Sequence, residues 1–181
     1  TTGNQNIIST LTDANLSTLN LSGSSALTIS GFAITPTTST ITSSMTGDLD
    51  LTVSGTSALT FTGGNGKNTL AMGATLFNTD NITGGTATTD VLNTSATTWS
   101  ATTGALKVSG FETINLTTGA ASTIDATNIT GANLISINDG GNTYNSSITN
   151  LPANATIGLG SAAATHTGAL TLALKDTSGT A

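Results

Sequence analysis

Ser22-Gly23-Ser24-Ser25-Ala26-Leu27-Thr28-Ile29-Ser30-Gly31 returns 32 residues later as Ser54-Gly55-Thr56-Ser57-Ala58-Leu59-Thr60-Phe61-Thr62-Gly63, with seven of the ten positions identical. Each copy follows another strand-glycine unit, Leu19-Asn20-Leu21-Ser22-Gly23 in one case and Leu51-Thr52-Val53-Ser54-Gly55 in the other. The step from Leu19 to Leu27, and from Leu51 to Leu59, is eight residues. A short strand and turn cannot bury its own apolar face, and recurring units solve this by stacking on one another. The pattern predicts an all-β chain: a right-handed parallel β-solenoid of short Thr/Gly-rich strands, almost without helix.

Composition points the same way. Hydrophobic residues make up 36% of the 181 positions but aromatics only 3%, so the core must be thin and aliphatic. Charged residues are 7%, against roughly 25% in ordinary soluble domains, so solubility rests on hydroxyls and amides. Nine acids against three bases give a net charge of −6. That balance excludes nucleic acid, whose phosphates need clustered Lys and Arg, and an anionic membrane surface. No apolar run approaches the roughly 20 residues of a membrane span, so no membrane insertion is expected. Without cysteine there is no disulfide framework, and an extracellular chain must then be held by repeat packing, metal or assembly. The start at Thr1-Thr2-Gly3, without a methionine or signal-like segment, is that expected of a mature protein or of a piece of a longer one, and the end of Leu174 to Ala181 inside a glycine-turn pattern is that expected of a cut.

Period-two alternation marks strands in Asp48-Leu49-Asp50-Leu51-Thr52-Val53, Leu106-Lys107-Val108, Glu112-Thr113-Ile114-Asn115-Leu116 and Leu170-Thr171-Leu172-Ala173-Leu174. Leu21, Leu27, Ile29, Leu51, Val53, Leu59, Phe61, Ile114 and Leu116 are the expected core. A longer self-similarity overlies the short one. Leu27-Thr28-Ile29-Ser30-Gly31-Phe32 recurs as Leu106-Lys107-Val108-Ser109-Gly110-Phe111, and Ser39-Thr40-Ile41 as Ser122-Thr123-Ile124. The expected organisation is a solenoid module at 1–62, glycine-rich connecting turns with degenerate calcium-binding repeats at 63–93, and a second module at 94–181.

The chemistry concentrates in two glycine runs, Gly63-Gly64-Asn65-Gly66-Lys67-Asn68-Thr69-Leu70 and Gly84-Gly85-Thr86-Ala87-Thr88-Thr89-Asp90-Val91-Leu92. Both resemble the repeats-in-toxin nonapeptide Gly-Gly-x-Gly-x-Asp-x-(apolar)-x, in which backbone carbonyls and the aspartate hold calcium between successive turns. Asn68 stands where that pattern has aspartate, and the second run has Ala87 for its third glycine and one extra residue. Calcium takes six to eight oxygens, more than one such turn supplies, which brings in Asp80 and Asp139 of Asp139-Gly140-Gly141-Asn142. The expected metal residues are therefore Asp80, Asp90, Asp139 and Asn68, with Ca2+ as the cofactor.

The second glycine run followed by Ser109-Gly110-Phe111-Glu112-Thr113-Ile114-Asn115-Leu116 resembles the repeat region of calcium-dependent bacterial surface-layer proteins exported by type I secretion. The resemblance covers about two thirds of the chain. It implies a structural repeat protein of the extracellular cell surface, self-assembling into a calcium-stabilised array. Its partner would be other copies of itself, with cell-surface polysaccharide reached through regions outside this chain.

No enzyme is expected. His166 is the single histidine, no Gly-x-Ser-x-Gly elbow is present, and Gly158-Leu159-Gly160-Ser161-Ala162-Ala163 lacks the helix that a dinucleotide site needs. Asp48 and Asp50 fall on one outward strand face, where solvation is the default. Two rival readings remain open. Thr1 to Ser9, with Ile7-Ile8, could be the donated strand of an extracellular filament or pilus. The outward pairs Thr28/Ser30, Thr52/Ser54 and Thr60/Thr62 could form an ice-binding ladder.

Overall fold

The computed structural model describes residues 5–34, 38–55, 57–76, 79–95, 98–99, 107–118, 121–138, 145–152, 154–159 and 168–175. Every regular element among them is a strand, and every strand pairing is parallel. This is the β-solenoid that the strand-glycine pattern predicts.

Three sheets run along it. Numbered in chain order, sheet A holds β1 (Asn6–Ile8), β3 (Leu27–Ile34), β5 (Leu49–Gly55), β7 (Asn68–Gly73), β9 (Val91–Ser95), β12 (Thr113–Thr117), β15 (Leu134–Asn138) and β17 (Thr156–Leu159). Sheet B holds β2 (Thr18–Leu21), β4 (Thr38–Ser43), β6 (Ala58–Thr62), β8 (Asn81–Thr83), β11 (Lys107–Ser109) and β14 (Ile129–Thr130). Sheet C, present only in the later coils, holds β10 (Thr98–Trp99), β13 (Ser122–Asp125), β16 (Ser146–Leu151) and β18 (Leu170–Leu174). The early coils therefore alternate between A and B, and the last ones between A and C.

The coil is longer than the eight-residue step implies. Leu27 pairs with Leu49, Leu49 with Asn68, and Val91 with Thr113, so one circuit takes 19 to 22 residues on sheet A. Between Asn81 and Lys107 on sheet B it lengthens to 26, and the added chain carries β10. The eight-residue step crosses the solenoid instead of climbing it. Leu19 lies on sheet B and Leu27 on sheet A, while Leu51 lies on A and Leu59 on B. The ten-residue repeat, 32 residues apart, thus lands on opposite walls. The physical reason is that all walls face one narrow core and ask the same thing of a strand: alternating apolar residues, then a glycine turn. For the same reason Leu27 to Phe32 belongs to sheet A, whereas its later copy places Lys107–Ser109 on sheet B.

Columns of side chains, one residue per coil, fill the interior. Ile29, Leu51, Leu70, Leu92, Ile114, Ile135 and Ile157 stack in register on sheet A. Leu19, Ile41, Phe61, Ile82, Val108 and Ile129 form the facing column on sheet B. Full burial of such a side chain contributes about 1.5–3 kcal/mol before chain entropy is subtracted. Most of the expected core is buried, with Leu21 and Leu27 only partly covered at its edge. Phe61 and Phe111 stack across one corner with centroids 6.4 Å apart and planes at 27°. Thr28/Ser30 and Thr52/Ser54 lie on sheet A and Thr60/Thr62 on sheet B, so these three pairs do not form one ladder. Asn6–Ile8, within the stretch considered for strand donation, pairs in parallel with β3 of its own chain.

Candidate functional site

Both glycine runs make the same corner, from a sheet B strand to the next sheet A strand. Gly63 to Lys67 joins β6 to β7, and Gly84 to Asp90 joins β8 to β9. The two corners lie one coil apart and touch through their backbones: the Gly63 N–H donates to the Thr83 carbonyl at 2.8 Å and the Thr86 N–H to the Gly64 carbonyl at 3.3 Å, while the Gly84 N–H donates onward to the Ser109 carbonyl at 2.8 Å. The contact is too close for any side chain. A methyl group on Gly63 would meet the Gly84 carbonyl, and one on Gly84 would meet the Gly110 carbonyl. These glycines are explained by coil stacking, independently of any metal.

Asn68 ends the first corner and sits 1% exposed. Its backbone N–H donates to Asp90 Oδ1 at 2.6 Å. Its side-chain Nδ2 faces three oxygens, the Gly66 carbonyl at 2.8 Å, Asp90 Oδ1 at 3.1 Å and the Gly64 carbonyl at 3.3 Å. Its Oδ1 accepts the Gly64 N–H at 3.2 Å. Glycines close around the amide: added carbons at Gly63 and Gly85 would strike Asn68 Cγ and Nδ2.

Asp90 ends the second corner and is wholly buried. Its side chain reaches back one coil to Asn68, and its backbone carbonyl accepts the Thr113 N–H one coil onward at 3.1 Å. Its own N–H donates to Glu112 Oε2 at 2.8 Å. Oδ2 has no hydrogen-bond partner. Burial pushes the Asp90 carboxyl above its ordinary value; hydrogen bonds from Asn68 oppose that, Glu112 adds to it and Lys67 opposes it. Asp80, also wholly buried, does the equivalent work on sheet B. Its Oδ1 accepts the Leu59 N–H one coil back at 2.8 Å, and its carbonyl accepts the Lys107 N–H at 2.9 Å.

Asn68 and Asp90 are thus brought together, and Asp80 is not joined to them by any of these bonds. Asp139 lies outside the described residues, as do His166 and Gly160 to Ala163 of the dinucleotide-like run. Asp48 and Asp50 are exposed, with Asp48 Oδ1 accepting the Lys67 N–H at 3.1 Å. Glu112 is the site residue that sequence reasoning missed. Positions 68, 90 and 112 each lie immediately before or at the start of a sheet A strand, and their spacing of 22 residues is the coil length. That spacing is visible in the sequence once the coil, and not the eight-residue step, sets the period.

Against this geometry calcium can be tested. Among the described residues no group of three or more His, Cys, Asp or Glu side chains is placed to hold a metal ion. In the first corner the Gly64 and Gly66 carbonyls, the natural cation ligands, are taken by the Asn68 amide. In the second, Asp90 Oδ2 is a single unpartnered oxygen beside Glu112, short of the six to eight that calcium takes. The residues of the first corner do not fit the ion. What the arrangement does is tie three consecutive coils together through Asn68, Asp90 and Glu112. No protein-family model, no curated protein and no solved structure matches the chain.

Proposed function

We propose that the chain is a structural segment of a bacterial surface layer, secreted to the cell surface, where copies associate into an extracellular array. The observation that carries this reading is the direction of its bonding. Apolar columns, backbone ladders and the polar Asn68, Asp90 and Glu112 all join coil to coil, so cohesion runs along the solenoid as a load-bearing rod requires. Among the described residues, the large exposed hydrophobics fall on the outermost strands: Ile7 and Ile8 on β1, Leu159 on β17, Leu172 and Leu174 on β18. Each of these strands has an outer edge with no neighbour among the described residues, and such edges pair with further strands. The occupant in this reading is another copy. Calcium belongs here as the counterion of the assembly, screening or bridging a net charge of −6 that holds copies apart.

Light scattering and electron microscopy in calcium and then in chelator test this. Ordered filaments or sheets in calcium that disperse in chelator are expected. A monomer under both conditions at high protein concentration contradicts it.

One observation favours a second reading, an ice-ordering surface. Outward residues of sheet B form two registered columns, Thr18, Thr40, Thr60, Asn81, Lys107 and Asn20, Thr42, Thr62, Thr83, Ser109, Thr130. Parallel strands space such hydroxyls about 4.8 Å apart across the sheet and about 6.6 Å along it, and none of the residues in these columns is acidic. Freezing-point depression beyond the colligative value supports this reading, and its absence removes it.

A further inference from the structure

We propose that the amide nitrogen of Asn68 takes the place of a cation in the first glycine turn, so that this turn closes without metal. Three oxygens converge on Nδ2: the carbonyls of Gly64 and Gly66 and Oδ1 of Asp90. Three electron-rich atoms around one point repel one another unless something positive lies between them. A metal ion is one solution, and an amide with two N–H groups shared among the three oxygens is another. Asn68 supplies the second, and its own Oδ1 is satisfied in turn by the Gly64 N–H. The cradle matches the amide in size, since carbons added at Gly63 or Gly85 would collide with it. With the Asn68 backbone N–H also on Asp90 Oδ1, the residue locks its coil to the next.

What holds this coil shut is then distinct from what joins copies in the array: ions act on assembly, not on the fold of this turn. Asn68→Asp replaces the two N–H groups with an oxygen, placing four oxygens face to face inside the protein, two of them from carboxylates. Such a cluster is unstable alone and is a ligand set for calcium, with water completing the shell.

The experiment compares thermal unfolding of the 181-residue chain, Asn68→Asp and Asn68→Ala, each in millimolar calcium chloride and in EDTA, at protein concentrations low enough to keep the chain monomeric. The wild-type midpoint should move little between the two conditions. Asn68→Asp should unfold several degrees lower in EDTA and recover most of that loss in calcium, and terbium luminescence should report ion binding absent from the wild type. Asn68→Ala should be destabilised equally in both. If Asn68→Asp does not fold in EDTA, circular dichroism should show calcium restoring its strand content, and failure to do so counts against the proposal. A wild-type calcium shift as large as that of Asn68→Asp overturns it, as does an Asn68→Asp chain as stable in EDTA as the wild type. Array formation is read separately by scattering, so its failure leaves this result intact.

Discussion

The two glycine corners are built alike and differ in how completely their polar groups are satisfied. In the first, every polar atom of the Asn68 side chain has a partner, and the residue donates and accepts within its own coil and donates across to the next. In the second, Asp90 occupies the equivalent place one coil on, yet keeps a buried oxygen without a partner and lies against a second acid, Glu112. An asparagine can finish a turn by itself because it carries donors and acceptors together. An aspartate, once ionised, only accepts. The first corner is therefore a closed lock, and the second is one whose strength depends on its charge state.

The largest effect should come from forcing the two corners apart. Gly63→Ala would drive a methyl group into the Gly84 carbonyl and onto Asn68 Cγ, where no flexible side-chain end can yield. It is expected to cost more than about 3 kcal/mol, the range of severe overpacking, with a matching fall in urea midpoint. Gly73→Ala is the control. Gly73 has φ near +51° but open space where the new carbon would sit, so only the left-handed backbone penalty of about 1–2 kcal/mol applies. Equal losses for the two variants would remove the stacking argument.

Next in size is truncation of the lock. Asn68→Ala deletes the side-chain bonds and leaves the Gly64 and Gly66 carbonyls and Asp90 Oδ1 less well satisfied in a buried place. At about 1–3 kcal/mol for a buried group left without a partner, denaturant titration should register a loss near the upper end of that range.

A smaller, sharper effect follows from pH. The Asp90 carboxyl is held above its ordinary value of 3.8 by burial, so the folded protein binds this proton more tightly than the unfolded chain. Its contribution to stability is complete in acid, below the unfolded value, and is lost as pH rises through the raised folded value. Asp90→Asn keeps an acceptor for the Asn68 N–H and does not titrate. As pH rises from the ordinary carboxylate range through neutrality, the wild-type midpoint should fall relative to that of Asp90→Asn. A constant difference across the range would show that the Asp90 proton is not linked to folding.

The smallest change should come from Glu112→Gln. It retains an oxygen for the Asp90 N–H and removes one of the influences that raise the Asp90 carboxyl. Stability near neutral pH should rise slightly, by less than about 1 kcal/mol, and the pH dependence of unfolding should shift toward acid.

How much of this was legible in the sequence depends on what each signal encodes. Alternation and glycine punctuation encode a strand with one buried side and a turn with no room, and these were enough for an all-parallel solenoid and most of its core. They do not encode which wall a strand joins, because Leu19, Leu27, Leu51 and Leu59 meet the same aliphatic interior from either side. The eight-residue step was therefore real as chemistry and misleading as geometry. At the corners, the residues at 68 and 90 stood out by their likeness to a metal-binding turn. Their actual partners, the Gly64 and Gly66 carbonyls and the Glu112 carboxylate, become visible only when the coil length places 68, 90 and 112 above one another.

Backbone amide contacts in nuclear magnetic resonance spectra measure that register directly. Cross-coil contacts should link the Leu70, Leu92 and Ile114 strands in parallel, in the pairings Leu70 with Leu92 and Leu92 with Ile114. Contacts that instead join strands eight residues apart, such as the backbones around Leu51 and Leu59, or that run antiparallel, would contradict it.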